Sequence, residues 1–310
     1  MGGGHAGPGR DRVVSRLGTR RDDLRALTEL VRAPAALSVP GDVIAGAAAA
    51  GWPLGRTRTA GVAASSVLLY WAGMALNDYA DREIDAKERP NRPIPSGRIS
   101  PRTALRVAQS LTVGGLAVSA LAAGRRGLGV SVPLAAGVWA YDTVFKGTPA
   151  GAASMALARG LNVLAGAGIG GVRQAAVPAG VVAAHTMTLM ALSAKEVDGS
   201  DPALPAVTLA ATSAVGTAAA LLPGRSPRRR DKVAAAAAAA GYVAIFGRAQ
   251  ATAVRKPTAK NLQKAVGAGI MSLIPLQSAL AGKAGALKPV GPLLVALPVG
   301  RMLGRKVATT

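Results

Sequence analysis

The chain has 310 residues, half of them hydrophobic and only 17% charged, with a mean hydropathy of +0.31. Its Ala-, Val- and Leu-rich stretches approach the roughly 20 residues that cross a ~30 Å hydrocarbon core, which excludes an ordinary soluble domain. The lack of cysteine excludes disulfides and thiolate metal sites. We predict an all-α polytopic membrane protein, a helical bundle with about nine transmembrane helices.

The net charge of +22 raises the question of nucleic-acid binding. The basic residues, however, lie in the connections between apolar runs, and no set of aromatic residues is available to stack on bases. Basic loops of this kind are typical of membrane proteins that face anionic lipid headgroups. We therefore expect anionic membrane lipids as partners and no nucleic acid.

Taken in chain order, the sequence divides into three parts. Residues 1–30 are basic and rich in Gly, which predicts a disordered or surface-lying cytoplasmic arm; residues 31–285 form the transmembrane bundle, and residues 286–310 an apolar and basic tail. The predicted spans are 33–51, 59–77, 103–123, 128–145, 150–170, 175–194, 203–222, 233–250 and 264–282. We expect an integral protein of the plasma membrane with a cytoplasmic N-terminus. The basic loop 225–232 then falls outside, against the positive-inside rule.

A polar stripe follows the second span. On a helix, Asn77, Asp81 and Asp85 lie at i, i+4 and i+8, and Asp78 lies three residues before Asp81. Like charges at this spacing repel unless a cation lies between them. Hard oxygen ligands that supply only part of a coordination shell suit Mg²⁺, which takes its other ligands from water and substrate phosphates.

Basic residues that could bind a phosphate follow directly after the acidic stripe. Arg89 and Arg92 could bind phosphate oxygens directly. Metal-binding acids beside phosphate-binding cations, at the end of a membrane-length helix, predict diphosphate chemistry at a bilayer surface. Pro101 is placed to begin the next helix after Ser100.

A second acidic cluster ends the sixth predicted span. It contains Glu196, Asp198 and Asp201, with Lys195 beside them. The alternation of spans puts this cluster on the same side of the membrane as the first one. Two facing carboxylate clusters could hold two or more Mg²⁺ ions around a diphosphate, with Lys195 on its oxygens.

Polar residues inside the other spans leave two interpretations open. Arg159 and Asn162 either line a site or form a hydrogen-bonded pair between helices, because a charge within a span is expensive. Tyr141 and Lys146 either belong to the site or are interface residues at a helix end. Asp42 lies in the first span without an evident partner in the sequence.

The first stripe resembles a known motif. Residues 77–97 follow the pattern Asn-Asp-xx-Asp-xxx-Asp and then Arg-Pro-xx-Pro-x-Pro-x-Gly, similar to the first aspartate-rich motif of the UbiA-type intramembrane prenyltransferases. The resemblance implies helices around a central cavity that opens laterally to the bilayer, with a site capped on the cytoplasmic side. It implies that Mg²⁺ on a prenyl diphosphate is held by Asn77, Asp81 and Asp85, with the diphosphate on Arg89 and Arg92.

Two further segments resemble the same family. The Tyr141…Lys146-x-Thr148 segment is similar to an element at the end of the family's fourth helix, although Gly147 stands where Arg is common. The second cluster departs from the family's Asp-xxx-Asp pattern, with Glu first, Ser last and an Asp shifted by one. We expect catalytic roles for Asp81, Asp85 and Lys146. Expected contacts to the diphosphate are Asp78, Arg89, Arg92, Tyr141, Arg159, Asn162 and Lys195; expected metal ligands are Asn77, Asp81, Asp85, Glu196, Asp198 and Asp201.

The sequence thus predicts a Mg²⁺-dependent prenyltransferase. It would move an isoprenyl group from a prenyl diphosphate to an aromatic or other lipophilic acceptor and release pyrophosphate. A CDP-alcohol phosphatidyltransferase is an alternative, but its Asp-Gly-xx-Ala-Arg signature is absent. An ion-coupled transporter would place acids within the spans and show inverted repeats. A non-catalytic membrane binding protein is the remaining alternative.

Overall fold

The computed structural model describes residues 22–288 and residue 291, so most of the predicted tail 286–310 lies outside it. The described residues are helical between short connections and contain no strand, which confirms the predicted all-α bundle. The helices are α1 (22–30), a 3-10 helix (Ala33–Ser38), α2 (Val39–Ala49), α3 (Gly55–Ala80), α4 (Arg82–Glu88), α5 (Pro101–Ala140), a π-helical turn (Tyr141–Phe145), α6 (Gly151–Ala167), a 3-10 turn (Ile169–Gly171), α7 (Val172–Ser193), α8 (Ala203–Leu221), α9 (Arg229–Arg255) and α10 (Ala259–Lys283).

Helix α5 is a hairpin, with a first arm before Gly124 and a second arm after it. Gly124 has φ 56° and ψ −142°, a conformation that breaks the helix and that glycine adopts without a steric penalty. The Trp139 indole donates to the Thr112 hydroxyl at 3.0 Å, and the Ser119 and Ser131 hydroxyls are 2.8 Å apart. A straight helix would separate Thr112 from Trp139 by about 40 Å. The two arms are therefore antiparallel, as the predicted turn after residue 123 requires.

Helix length and hydropathy bear on the number of membrane crossings. Six helical stretches in the described residues are long and apolar enough to cross a membrane, and one of them contains the whole α5 hairpin. Helix α2 is shorter, with 11 residues. Each predicted span overlaps a helix, but the count of about nine crossings is not confirmed and stays a prediction.

Two glycines set the contact between α2 and α6. A Cβ atom on Gly46 would lie 1.8 Å from the carbonyl oxygen of Val163, and one on Gly166 would lie 1.9 Å from that of Val43. Neither position therefore accepts a larger residue while the two backbones keep this distance. Close approach through small residues is the usual packing of helices in lipid. This close α2–α6 contact holds Asp42, one residue before Val43, beside α6.

Helix α1 packs onto the end of the bundle where α3 ends and α5 begins, which we call the acidic end. Leu30 and Ala26 are fully buried there and join a hydrophobic cluster with Ile94 from the loop between α4 and α5. Residues 22–30, predicted to belong to a disordered or surface-lying arm, thus form a helix whose apolar face is covered by the bundle. Residues 1–21 lie outside the described residues.

The opposite end of the bundle, which we call the basic end, carries the α8–α9 connection. A Cβ atom on Gly51 would lie 2.9 Å from Arg225 Nη2, and one on Gly168 would lie 3.6 Å from Leu54 Cδ2 and 3.5 Å from the Arg126 carbonyl oxygen. Helix α3 has 26 residues and rises about 39 Å between the two ends. The basic loop therefore lies a membrane thickness away from the acidic cluster, as the alternation of spans predicts.

Candidate active site

The predicted stripe of acids keeps its helical spacing across a bend. Helix α3 ends at Ala80 and α4 begins at Arg82, so Asp81 lies between them. The Asp81 amide still donates to the Asn77 carbonyl at 2.9 Å, and the Asp85 amide donates to the Asp81 carbonyl at 2.8 Å. Because the i to i−4 pattern continues, the side chains at 77, 81 and 85 follow one another along one face.

Arginine side chains hold two of the acids. Arg92 donates to the carboxylates of both Asp78 and Asp85, and Arg32 donates to Asp78 at 2.9 Å. Asp78 and Asp85 are each 3% exposed, so these pairs compensate carboxylates that are removed from water. Arg92, which the sequence assigned to the diphosphate, comes from the Pro-rich loop after α4, whereas Arg32 comes from the chain just after α1 and was not among the predicted site residues.

The end of α5 supplies the other half of the site. Lys146 pairs with Asp81, and the Asn77 amide nitrogen donates to Asp142 at 3.0 Å. This donation leaves the Asn77 carbonyl oxygen available to a ligand. Asp142 is buried and, with Tyr141, belongs to the π-helical turn. The sequence pointed to Tyr141 and Lys146 but not to Asp142, although it stands between them.

An apolar cavity opens from these polar groups between α3, the second arm of α5 and α6. Its polar lining includes Asn77, Tyr141 and Asp142 near the acidic end. Its apolar lining includes Leu69, Met74, Leu134, Val138 and Met155. Such a space is suited to an amphiphile whose charged head lies at the acidic end and whose hydrocarbon chain enters the bundle.

Deeper in the same cavity, Arg159 and Asn162 both line the cavity wall and form hydrogen bonds between helices, the two possibilities that the sequence left open. Arg159 Nε and Asn162 Nδ2 also each lie 2.9 Å from Asp42 Oδ2, while Gln277 Nε2 lies 2.6 Å from Asp42 Oδ1. The fully buried Asp42 therefore joins α2, α6 and α10. Opposite charges within two apolar spans, at Asp42 and Arg159, are the sequence signal that would have predicted this pair.

The second cluster is not brought into contact with the first. The side chains of Glu196, Asp198 and Asp201 form no hydrogen bond or ion pair with any described residue. Their loop packs instead on the α9–α10 connection, where the Ser200 amide donates to the Pro257 carbonyl at 3.1 Å. Lys195 and Arg89 are exposed and have no partner among the described residues. These acids and cations thus remain free for a ligand.

The donor atoms fit a hard divalent cation. Carboxylate oxygens of Asp81 and Asp85 and the free carbonyl oxygen of Asn77 are the ligand type that Mg²⁺ prefers, and neither histidine nor sulfur is among them. Among the described residues, no three acidic or histidine side chains lie close enough to hold a metal by themselves. This arrangement suits a Mg²⁺ ion that takes several ligands from substrate and water rather than one enclosed by protein.

A membrane-length helical bundle with a charged mouth on an apolar cavity is typical of enzymes that act on amphiphilic anions within the bilayer. The model of the UbiA prenyltransferase family matches residues 39–274, and the chain belongs to this family. It is accordingly an integral membrane protein. The match favours the prenyltransferase prediction over the phosphatidyltransferase and transporter alternatives.

Relatives agree with this family, and two solved structures share the fold. A digeranylgeranylglyceryl phosphate synthase of Natronomonas pharaonis is 38% identical over 150 residues, which are 48% of this chain and 54% of the relative. The chain thus spans about half the length of this curated relative. A solved structure of digeranylgeranylglyceryl phosphate synthase has a TM-score of 0.60 at 19% identity, covering 86% of this chain and 99% of the other. A UbiA homologue of Aeropyrum pernix K1 has a TM-score of 0.57 at 21% identity, covering 79% and 96%.

Proposed function

We propose that the chain is a Mg²⁺-dependent prenyltransferase that uses the acidic end of the cavity. The observation that carries the proposal is that Asn77 pairs with Asp142 at the polar end of an apolar cavity, while the Asp81–Lys146 ion pair lies one helical turn beyond Asn77. The polar mouth suits the diphosphate of a prenyl donor, and the apolar walls suit its isoprenoid chain. A single prenyl diphosphate thus accounts for both the charged end and the apolar walls of the cavity.

The predicted site residues divide into metal ligands, diphosphate contacts and loop residues that cover the site. Asp81, Asp85 and the Asn77 carbonyl would hold Mg²⁺, which neutralises charge on the departing diphosphate. Lys146 and Arg92 are near enough to these acids to reach diphosphate oxygens on the same metal. The exposed Arg89 in the α4–α5 connection, and Lys195 with the acids of the second cluster in the α7–α8 connection, would cover the site on the side of the acidic end.

The reaction breaks the bond between C1 of the allylic chain and the diphosphate oxygen, which leaves with the electron pair. The acceptor oxygen or carbon forms a new bond to C1 and loses one proton, so that pyrophosphate and a prenylated product result. Apolar side chains such as Leu69, Val138 and Met155 keep water from the electron-poor carbon. Tyr141 lines the cavity beside Asp142, so it would lie at the boundary between the diphosphate and the isoprenoid chain.

For the acceptor, the relatives favour a glyceryl phosphate over an aromatic ring. Their name states a product with two geranylgeranyl groups on a glyceryl phosphate. We extend this to the chain as a proposal, with geranylgeranyl diphosphate as donor and a geranylgeranylglyceryl phosphate as acceptor. Arg89 and Lys195 have no side-chain partner among the described residues, so they could bind the acceptor's phosphate as well as the donor's diphosphate.

The experiment uses the full chain in lipid nanodiscs with radiolabelled geranylgeranyl diphosphate and Mg²⁺. Three arms contain geranylgeranylglyceryl phosphate, 4-hydroxybenzoate or no acceptor, and both pyrophosphate and prenylated product are measured. We expect product only with the glyceryl phosphate. The Asp81→Asn variant should lower turnover by at least about 100-fold, because it removes charge from the proposed metal site.

A matched control is Glu83→Gln, which removes one negative charge two residues away. The Glu83 side chain is 84% exposed and, among the described residues, pairs with Arg82 alone, so turnover should be unchanged. Product with 4-hydroxybenzoate instead would refute the acceptor and keep the prenyl transfer. Intact diphosphate in all arms, with folded protein that binds it, would mean a non-catalytic binding protein.

A further inference from the structure

A second cavity lies at the basic end, on the opposite face of the membrane from the candidate active site. It is a groove between α2, α3 and the residues after α10, bounded by Arg56, Arg228, Arg230 and Lys288. Arg56 precedes Asn77 by 21 residues on one helix, which corresponds to about 31 Å. The groove and the active site are therefore separated by the thickness of the hydrocarbon core.

The floor of the groove is apolar and has the depth of one leaflet. Residues 60, 63, 64 and 67 line it from one face of α3, and Ile44 lines it from α2. From Arg56 to Val67 the helix rises about 16 Å, half of a ~30 Å hydrocarbon core. A ligand with a charged head at Arg56 and an acyl chain along this face would thus end near the bilayer centre.

The rim of the groove is positively charged. Arg56 lies over the Trp52 ring, with its guanidinium carbon 5.9 Å from the ring centre, and tryptophan at this depth is typical of a membrane interface. The one acid in the lining, Asp231, is 2% exposed and accepts from the Ser226 hydroxyl. Among the described residues its carboxylate pairs with Arg230 alone, at 3.6 Å, so Arg56, Arg228 and Lys288 are available to an anionic ligand.

We propose that this groove binds an anionic phospholipid, with the headgroup phosphate between Arg56 and Arg228 and one acyl chain on α3. Charge complementarity favours this occupant over the C-terminal tail, since residues 289–310 carry Arg301, Arg305 and Lys306 and no acid. The site also gives a reason for the basic α8–α9 connection, which the positive-inside rule disfavours at this end. It is independent of the proposed catalysis.

The test is native mass spectrometry of the full chain, released from detergent, with phosphatidylglycerol and phosphatidylcholine of the same acyl chains. Wild-type protein should bind phosphatidylglycerol more tightly than phosphatidylcholine. The variant R56Q/R228Q should lose about 25-fold in that affinity, at roughly fivefold for each of the two surface cations. Neither side chain forms an ion pair with a described residue, and the exposed Arg56 loses only its contact with the Trp52 ring, so the melting temperature of the variant should change little.

The matched control is R125Q/R126Q, which removes the same charge at the same end but outside the groove. Both control side chains are exposed, and the variant should bind like wild type. Equal losses in the two variants would mean diffuse attraction and overturn the proposal, as would equal affinity of wild type for the two lipids. Full competition by free glycerol 3-phosphate would mean a soluble phosphate site, which also overturns it.

The tail is tested as the occupant by cysteine cross-linking. The chain has no cysteine, so Ala64→Cys and Leu294→Cys would provide its only two thiols. Ala64 is exposed and lines the groove. A disulfide that forms rapidly in vesicles and is unaffected by phosphatidylglycerol would place the tail there and overturn the proposal. We expect the two thiols to remain unlinked.

Discussion

The buried acid Asp42 offers the sharpest test of how the bundle is held together. Three donors surround its carboxylate: Arg159 Nε and Asn162 Nδ2 on one oxygen, and Gln277 Nε2 on the other. In the variant Asp42→Asn, an amide nitrogen must replace one of these oxygens and face a donor. The Arg159 guanidinium also loses its counter-charge, and removing one partner of a buried pair costs about 3–5 kcal/mol.

A thermal unfolding experiment in detergent measures this loss. At roughly 2–4 °C per kcal/mol, the melting temperature of Asp42→Asn should fall by on the order of 10 °C. Hydrogen bonds in membranes average only about 0.6 kcal/mol, so three lost bonds alone would cost about 2 kcal/mol. A fall of that smaller size would mean that the charge itself contributes little.

The double variant Asp42→Asn/Arg159→Gln separates these contributions. It removes both charges, so it should be more stable than the sum of the single losses predicts, by about 1–3 kcal/mol. Strict additivity of the two substitutions would refute the ion pair as the source of stability. Glu83→Gln, which changes an exposed acid, is the control and should unfold at the wild-type temperature.

Three further predictions concern other parts of the molecule. Gly166→Ala should lower the melting temperature, because its Cβ atom would lie 1.9 Å from the Val43 carbonyl oxygen. In the control Gly180→Ala the new Cβ atom meets nothing within 4 Å, so the melting temperature should stay at the wild-type value. Equal effects of the two substitutions would contradict the α2–α6 contact. Leu30→Ala removes a fully buried side chain and should cost about 2–5 kcal/mol of local stability, seen as faster tryptic cleavage after α1; unchanged cleavage would show that α1 is not held there. Chelation of divalent ions should stop pyrophosphate release without changing the circular dichroism spectrum, and continued release would argue against the proposed Mg²⁺ site.

The sequence predicted those features that depend on local spacing. Helical periodicity is local, so the stripe at residues 77–85 and the start of α5 at Pro101 could be located, and the Ser100 hydroxyl does accept from the Thr103 amide at 3.1 Å. The Gly124 turn followed from a break in the apolar pattern in the same way. Local patterns do not indicate which residues of different helices meet.

The features missed by the sequence depend on contacts between distant segments. Asp42 meets Gln277 across 235 positions of the chain, and Arg32 meets Asp78 across 46. Helix α1 is charged on its exposed side, and only the fold shows that Leu30 is covered by the loop after α4. Because these pairings arise from tertiary packing, no local periodicity of the sequence could have shown them.

The ion pairs at the acidic end have a consequence for how the proposed substrates would be bound. Lys146 and Arg92 neutralise Asp81 and Asp85 before any ligand arrives. Under the proposed function, a diphosphate would draw these two cations away and so release the carboxylates for Mg²⁺, whereas either ligand alone would have to compete with an intact ion pair. Under the proposed function, donor and metal should therefore bind cooperatively, each raising the other's affinity by the same factor. The site would in this way discriminate against free Mg²⁺ and against metal-free diphosphate.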